Sequence, residues 1–177
     1  AELLNPELGI LQARTIGEEV IVNEDGLQIT AFEVSHPPIE PAYGYRLDYS
    51  GRSVVISGDS LVTEKIVELS DGADVVIHDA MALQLVQGME AMSRSAGNTR
   101  IATVLHDLQD YHASTADLAR LATEAEIGLL ALYHLVPAPR NAMAIAAFNG
   151  GLPDGALLTE DGMVISLPAN SKEITFE

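Results

Sequence analysis

Residues 73–79, Ala-Asp-Val-Val-Ile-His-Asp, give the strongest indication of the fold class. Three branched apolar side chains stand between polar residues, which is typical of a short strand buried on both faces. Similar apolar runs that end near a histidine or an aspartate lie at residues 28–36, 52–59 and 127–134. Segments with helical periodicity separate the later runs, and this alternation predicts an α/β protein with a mixed sheet.

The helices are predicted from apolar residues at helical spacing and from capping residues. Asn98 and Ser114 each precede a helical segment, and Asp117 stands where a capping box places an acidic residue. The predicted helices cover residues 61–69, 80–92, 99–108, 114–123 and 141–148.

Glycine and proline predict the connections between these elements. Ser50-Gly51 predicts a β-hairpin turn, and Asp161-Gly162 predicts a terminal hairpin between residues 156–159 and 163–167. Three prolines within residues 37–41 predict an extended loop after the first strand, because proline fixes its own φ and restricts the residue before it.

The composition limits the class of protein. The chain has 177 residues, of which 47% are hydrophobic, so it can bury the core of a single domain. No apolar run approaches the roughly 20 residues that span a bilayer, so we expect a soluble protein without a membrane partner. The chain has no cysteine, which excludes disulfides, thiolate metal sites and cysteine nucleophiles, and which suits either cytoplasm or periplasm.

The charge is strongly acidic. The formal net charge is −17, with 26 acidic residues and 9 basic residues scattered along the chain. No stretch of sequence gathers the basic residues into a stripe that could follow a phosphate backbone. The charge therefore argues against a nucleic-acid partner for this chain.

Three residues at the ends of strands are candidate metal ligands. His36 and His134 end apolar runs, and Asp59 follows Gly58, which permits a tight turn that can direct the carboxylate into a cleft. Each also has a structural alternative. His36 is then a polar turn residue, His134 a buried core histidine, and Asp59 the N-cap of the first helix, for which Ser60 competes.

Asp79 and His112 form a second candidate group. A carboxylate that accepts a hydrogen bond from a histidine fixes the tautomer of the ring and makes it a better general acid. The alternative is that His112 is an exposed residue ahead of the helix at 114–123, while Asp79 caps the helix that follows it. Of the other histidines, His78 suits a structural role and His106 a solvent-facing position.

The order of these motifs resembles the metallo-β-lactamase superfamily, and within it the ribonuclease Z and arylsulfatase-like branch. Ser35-His36, Gly58-Asp59-Ser60 and Tyr133-His134-Leu135 are similar to three of the family's metal-binding motifs. His78-Asp79-Ala80-Met81 and His112-Ala113-Ser114-Thr115 are similar to the His-Glu-Ala-Thr and His-Ser-Thr motifs of the ribonuclease Z branch.

The resemblance implies a fold, a cofactor and a role for each residue. The fold would be half of an αββα sandwich, in which two sheets pack between outer helices. Asp59 would bridge two zinc ions, and His36 and His134 would bind one ion each. His112, oriented by Asp79, would protonate the leaving group while a dizinc-bound hydroxide attacks a phosphodiester or a sulfate ester.

The sequence departs from the family inside and outside the region of resemblance, which spans residues 25–145. Asp79 replaces the family's glutamate and is one methylene shorter, which predicts a looser contact with His112. The family's His-x-His-x-Asp-His motif, which supplies four ligands, is absent from this chain. We therefore expect residues 1–177 to be one domain, the C-terminal half of a metallo-β-lactamase-like fold. Its zinc site would be complete only with the missing N-terminal half or a companion chain.

The expected function is thus a zinc-dependent hydrolase of ester bonds, and the acidic charge favours a small ester as its substrate. A tRNA 3′-processing endonuclease is the alternative within the same class. A catalytically silent binding or scaffold module is the alternative from another class, for which this chain would be complete. The alanine-rich helices are compatible with a homodimer.

Overall fold

A computed structural model describes residues 13–177 of the chain. Seven strands form a mixed sheet in the order in which they follow along the chain, and the last two strands form a separate small sheet. The strands are β1 (Glu19–Glu24), β2 (Leu27–His36), β3 (Ile39–Tyr49), β4 (Arg52–Ile56), β5 (Val75–Met81), β6 (Leu129–Val136), β7 (Leu157–Leu158), β8 (Ile165–Ser166) and β9 (Thr175–Phe176). The helices are α1 (Glu64–Ser70), α2 (Leu83–Ser95), α3 (Thr99–Asp107), α4 (Thr115–Glu124) and α5 (Ala142–Asn149), with a 3₁₀ turn at Leu108–Asp110.

The large sheet changes from antiparallel to parallel half-way across. Strands β1 to β4 are antiparallel neighbours, whereas β4 to β7 are parallel neighbours. Strand β2 consequently runs in the same direction as β4, β5 and β6. The carboxyl ends of these four strands therefore lie at the same end of the sheet, above the strand termini and not along an outer strand. We call this end the carboxyl edge.

The two faces of the sheet differ in burial. Phe32, Val55, Val76 and Leu132 are at most 2% exposed and pack with the helices in the main core. On the opposite face, called the second face below, the C-terminal segment 165–174 packs against β5 and β6. Ile29, Leu47 and Val54 of the second face are only half-buried, although both faces of a parallel sheet are normally covered.

The α/β class with a mixed sheet is confirmed, as are the predicted caps. The Asn98 side chain accepts a hydrogen bond from the Ile101 amide at the start of α3. The Ser114 side chain accepts one from the Asp117 amide at the start of α4. These caps were predictable because a cap acts within one turn of helix.

Three connections differ from the prediction. The three prolines do not form an extended loop, because β2 and β3 pair from His36 and Ile39 onward across a tight turn. Pro41 is tolerated in β3 because it falls at a register shift, where the ladder needs no amide donor. The helix expected from residue 80 begins at Leu83, since β5 continues to Met81.

The terminal hairpin was also wrong, and β1 was not predicted. Leu157 of β7 pairs in parallel with Ala131 of β6, whereas Ile165 of β8 pairs with Phe176 of β9. The two residues of β7 pair with β6 next to the buried core, so the Asp161-Gly162 turn joins strands of different sheets. Among the described residues, no helix combines the length and apolar composition that crossing a membrane requires.

Candidate active site

The fold brings all five predicted site residues to the carboxyl edge. His36 is the last residue of β2, Asp59 follows β4, Asp79 lies in β5 and His134 lies in β6. His112 comes from the loop that precedes α4. Ligands of α/β proteins commonly bind outside the carboxyl ends of strands, so the site lies where this type of sheet places function.

Asp59 and His134 form an open pair at this edge. Asp59 Oδ2 lies 3.4 Å from His134 Nε2, and their side chains are 38% and 48% exposed. The N-cap alternative for Asp59 is wrong because α1 begins at Glu64 and is capped by Thr63. The core alternative for His134 is wrong because the ring is exposed.

A β-bulge directs His134 out of the sheet. Asp79 pairs with Tyr133 and Ala80 pairs with Leu135, so His134 is the extra residue of β6 at a register shift. Its φ is +43°, which is uncommon for a residue with a side chain. Bulges of this kind re-aim a side chain next to functional sites.

Asp79 and His112 form a closed hydrogen-bonded unit. His112 Nδ1 lies 2.9 Å from Asp79 Oδ2, and the two side chains are 4% and 0% exposed. The Ala113 amide also donates to Oδ2, at 3.3 Å, and the Ser60 amide donates to Oδ1, at 3.0 Å. His112 is therefore not an exposed residue, and Asp79 does not cap the helix that follows it.

The contact is not looser than usual, although Asp79 is shorter than the glutamate of the family motif. The Met81 amide donates to the Ala113 carbonyl at 2.7 Å, which holds the loop of His112 against β5. Since a carboxylate only accepts hydrogen bonds, Nδ1 of His112 carries the proton of this contact. This leaves Nε2 as the nitrogen available to a ligand.

Asp79 is held in its ionised form. Burial is the largest influence on its pKa and acts to raise it. Hydrogen bonds from His112 and His78, the charge of His78 and the Ser60 amide act in the opposite direction. They outweigh burial, so the pKa of Asp79 lies below its usual value and the carboxylate can orient His112 at neutral pH.

The histidine rings form a cluster around His112. Its ring centroid lies 5.3 Å from that of His134 and 5.9 Å from that of His36. The Tyr111 ring contacts two members of the cluster, at 4.8 Å from His36 and 5.0 Å from His112. The cluster thus places the His112 ring next to two of the three candidate ligands, His36 and His134.

Sequence reasoning missed two tyrosines of the site. Tyr111 and Tyr133 each directly precede a candidate histidine, which was the one available indication. Burial, reinforced by the charges of Asp59 and Asp79, raises the pKa of Tyr133 to about 12, so its phenol remains neutral. His106 lies outside the site on the exposed side of α3, as predicted.

The predicted metal ligands share an edge without forming a closed group. Within residues 13–177, no three or more His, Asp and Glu side chains lie close enough to hold a metal ion by themselves. Asp59 and His134 approach each other, whereas His36 contacts His112 and Tyr111. The donor types suit zinc, but the donor number does not reach the four ligands that zinc usually takes.

The sequence model of the β-lactamase superfamily domain matches residues 3–135. The chain therefore belongs to this superfamily, which implies a metal site, typically of zinc. It is similar to ribonuclease Z of Mycobacterium avium (strain 104), with 32% identity over 116 residues, which are 66% of this chain and 38% of the relative. It is 28% identical to ribonuclease Z of Mycobacterium tuberculosis (strain ATCC 25618 / H37Rv), over 75% of this chain and 47% of the relative. The chain spans about half or less of the length of these curated relatives.

Solved structures agree on the fold. Human tRNase Z, short form, superimposes with a TM-score of 0.54 and 22% identity, over 84% of this chain and 45% of that chain. Zn²⁺-bound PqqB from Methylobacterium extorquens superimposes with a TM-score of 0.56 and 17% identity, over 84% of this chain and 53% of that chain. The family-model match confirms the family to which the motifs pointed, and the solved structures confirm the fold.

Proposed function

We propose that this chain contributes half of the active site of a metal-dependent hydrolase that cleaves phosphodiester bonds. The observation that carries the proposal is the convergence of His36, Asp59, His112 and His134 at one edge, with His112 held by the buried Asp79. Superfamily membership and similarity to ribonuclease Z support the same reaction class. No observation on this chain favours a sulfate ester.

His112 is assigned as the general acid of this reaction. Asp79 holds its Nδ1 at 2.9 Å, so the ring presents Nε2 toward the open edge. With protons on both ring nitrogens, His112 would give the Nε2 proton to the leaving oxygen as the phosphorus–oxygen bond breaks, and would be left neutral with its Nδ1 proton still hydrogen-bonded to Asp79. Asp79 has a positioning role, because both of its oxygens are occupied by donors from the protein.

Asp59, His36 and His134 are assigned as ligands of two zinc ions, with Asp59 shared between them. The mixed carboxylate and imidazole donors fit zinc, and the shortfall in donor number within residues 13–177 means that further ligands must come from outside these described residues. When bound, zinc would activate water and neutralise negative charge on the ester.

The second face supports the assignment of residues 1–177 as one half of a sandwich. Ile29, Leu47 and Val54 are cross-strand neighbours in one row of this face and all three are half-buried. A groove of about 450 Å³ is lined by Leu47, Val54 and Leu167, among others. We propose that a second sheet, on the missing N-terminal half or a companion chain, packs here and completes the metal site at the carboxyl edge.

A small phosphodiester is the preferred substrate. All nine basic residues lie within residues 13–177. Six of these basic residues form ion pairs with carboxylates: Arg14, Arg46, Arg52, Lys65, Arg94 and Arg120. With a net charge of −17, this chain therefore offers little positive surface for a polynucleotide. Cleavage of precursor tRNA is the second candidate, because of the similarity to ribonuclease Z, and would need basic residues on the other half.

The test uses the natural protein that contains this chain together with its missing half. We expect two zinc ions per site by native mass spectrometry, and zinc-dependent hydrolysis of bis(p-nitrophenyl) phosphate. The Asp59→Ala variant should lose zinc and at least about 100-fold of the activity while remaining folded. Asp161→Ala, at an exposed turn far along the chain, is the matched control.

Three other outcomes would redirect the assignment. Cleavage of precursor tRNA with no activity on the small ester would select the second candidate. Activity on p-nitrophenyl sulfate alone would replace the phosphodiester by a sulfate ester. Absence of both metal and activity in the complete protein would refute the hydrolase and leave the silent binding or scaffold module.

A further inference from the structure

We propose that His78 is a positioning residue, which acts by holding the Asp79 carboxylate in the orientation that serves His112. The inference rests on the proposed function, because it assigns His78 a part in the same proton transfer. The sequence predicted a structural role for His78. Its contacts with Asp79 show which group it would hold in place.

His78 supplies a donor to the one oxygen of Asp79 that His112 does not use. Its Nδ1 lies 3.0 Å from Asp79 Oδ1 and 2.9 Å from the Asp79 carbonyl oxygen. Both partners are oxygens that can only accept, so Nδ1 carries a proton; its hydrogen bond goes to the carbonyl oxygen, and the same N–H makes a close polar contact with Oδ1. Oδ1 of Asp79 is thus contacted by His78 and Ser60, and its Oδ2 is contacted by His112 and Ala113.

The other nitrogen of His78 indicates why a purely structural role is an incomplete account. The side chain is 0% exposed, and its Nε2 has no hydrogen-bond partner among the described residues. Val76 and Ala80, on the same face of β5, belong to the main core. A buried polar nitrogen without a partner opposes folding, so an apolar residue of similar size would suit this position better for stability alone.

The geometry therefore separates two consequences of replacing His78. Loss of the Nδ1 donor leaves the Ser60 amide as the remaining described donor to Asp79 Oδ1, so the carboxylate is held less firmly in the orientation that serves His112. Misalignment of His112 slows the transfer of its Nε2 proton to the leaving oxygen, and does so most where the leaving group depends on that proton. The stability of the fold changes little, because the orphaned Nε2 is removed at the same time.

The experiment compares two variants and two leaving groups in the zinc-loaded complete protein. His78→Leu removes the donor, and His78→Asn keeps an N–H at the place of Nδ1. The substrates are bis(p-nitrophenyl) phosphate, with a good leaving group, and diphenyl phosphate, with a poorer one. We expect His78→Leu to lower kcat about 10–100-fold on diphenyl phosphate and less than about threefold on the nitrophenyl ester. His78→Asn should restore most of the loss.

A second readout does not need activity. The ring N–H proton of His112 should be visible by NMR in wild-type protein and in His78→Asn, because its bond to Asp79 protects it from exchange. In His78→Leu, or in His78→Ala if the leucine variant does not fold, the signal should be lost to exchange.

Each result decides for or against the proposal. Equal losses on both substrates, no loss on either, or failure of His78→Asn to restore activity would overturn it, as would an unchanged His112 signal in folded His78→Leu. These outcomes leave the proposed hydrolase intact, provided that the wild-type protein is active. A wild-type protein with zinc and no activity refutes the hydrolase itself, and the positioning role assigned to His78 falls with it.

Discussion

The charged side chains at the two ends of the large sheet differ in their burial. At the edge where β4 and β5 begin, Arg52 Nη2 lies 3.2 Å from Asp74 Oδ1, and both side chains are at least 91% buried. At the carboxyl edge, Asp59 and His134 lie 3.4 Å apart and are 38% and 48% exposed. We call these the closed pair and the open pair.

The difference shows which charges serve the fold and which are available to a ligand. Asp74 of the closed pair also accepts a hydrogen bond from the Ser53 amide at 2.8 Å, and Arg52 donates to the Ser171 carbonyl. These contacts pair both charges with groups of the protein itself and link Arg52 to the C-terminal segment. The open pair has no comparable set of donors among the described residues, so its atoms remain free to bind a metal ion.

Breaking the closed pair should have the largest effect on stability. Asp74→Ala leaves Arg52 as an uncompensated buried charge, so we expect a loss of about 3–5 kcal/mol in the free energy of unfolding. Urea denaturation of the isolated chain measures it. Arg120→Ala breaks an exposed pair with Glu124 and should cost less than about 0.5 kcal/mol. Equal losses of unfolding free energy in the two variants would show that the buried pair contributes no more to stability than an exposed pair.

Asp79 tests whether a buried charge at the carboxyl edge also supports the fold. Asp79→Asn places an amide group opposite at least one donor, so we expect a loss of up to about 3 kcal/mol at pH 7. The folded pKa lies below the unfolded one, so the stability from the ionised carboxylate is complete above the unfolded pKa. It is lost as the pH falls through the lower folded pKa.

The pH dependence of this variant is therefore a separate check. The difference in stability between wild type and Asp79→Asn should shrink as the pH is lowered from 7 to about 3. Asp161→Asn, at an exposed turn, should show no such trend. A difference that grows toward acid would mean that Asp79 is not ionised in the folded protein.

Gly58 tests whether the open pair depends on its turn. The φ of Gly58 is +67°, and a Cβ atom there would lie 2.8 Å from the Tyr43 carbonyl oxygen. We expect Gly58→Ala to cost about 2 kcal/mol. Gly155 has a φ of +87° and no atom within 4 Å of a Cβ, so Gly155→Ala measures the backbone strain alone. If both variants lose the same amount, the close approach to Tyr43 has no energetic weight.

The smallest effect on stability should come from the open pair itself. Asp59→Asn should change the free energy of unfolding by less than about 0.5 kcal/mol, because the side chain is exposed and pairs with an exposed histidine. Thermal unfolding of the metal-free chain measures it. A loss comparable to that of Asp74→Ala would make Asp59 a structural residue and weaken the proposed ligand role.

Local features were predictable from sequence because their causes lie within a few residues. The caps at Asn98 and Ser114, and the apolar runs that became β5 and β6, follow from neighbouring side chains alone. The motif order also identified the family. The pairing of β7 with β6 was not predictable, because it depends on which sheet edge remains free after the chain has folded.

The amino-acid sequence by itself determined the chemical inventory of the site: three candidate ligands, a carboxylate and a histidine beside it. Only the tertiary structure decided how these groups are used. The bulge that turns His134 outward and the loop that presses His112 onto Asp79 depend on strand register and on contacts between distant residues. Burial and pairing are properties of the assembled sheet, so identical residue types became an exposed pair at Asp59 and a buried anchor at Asp79.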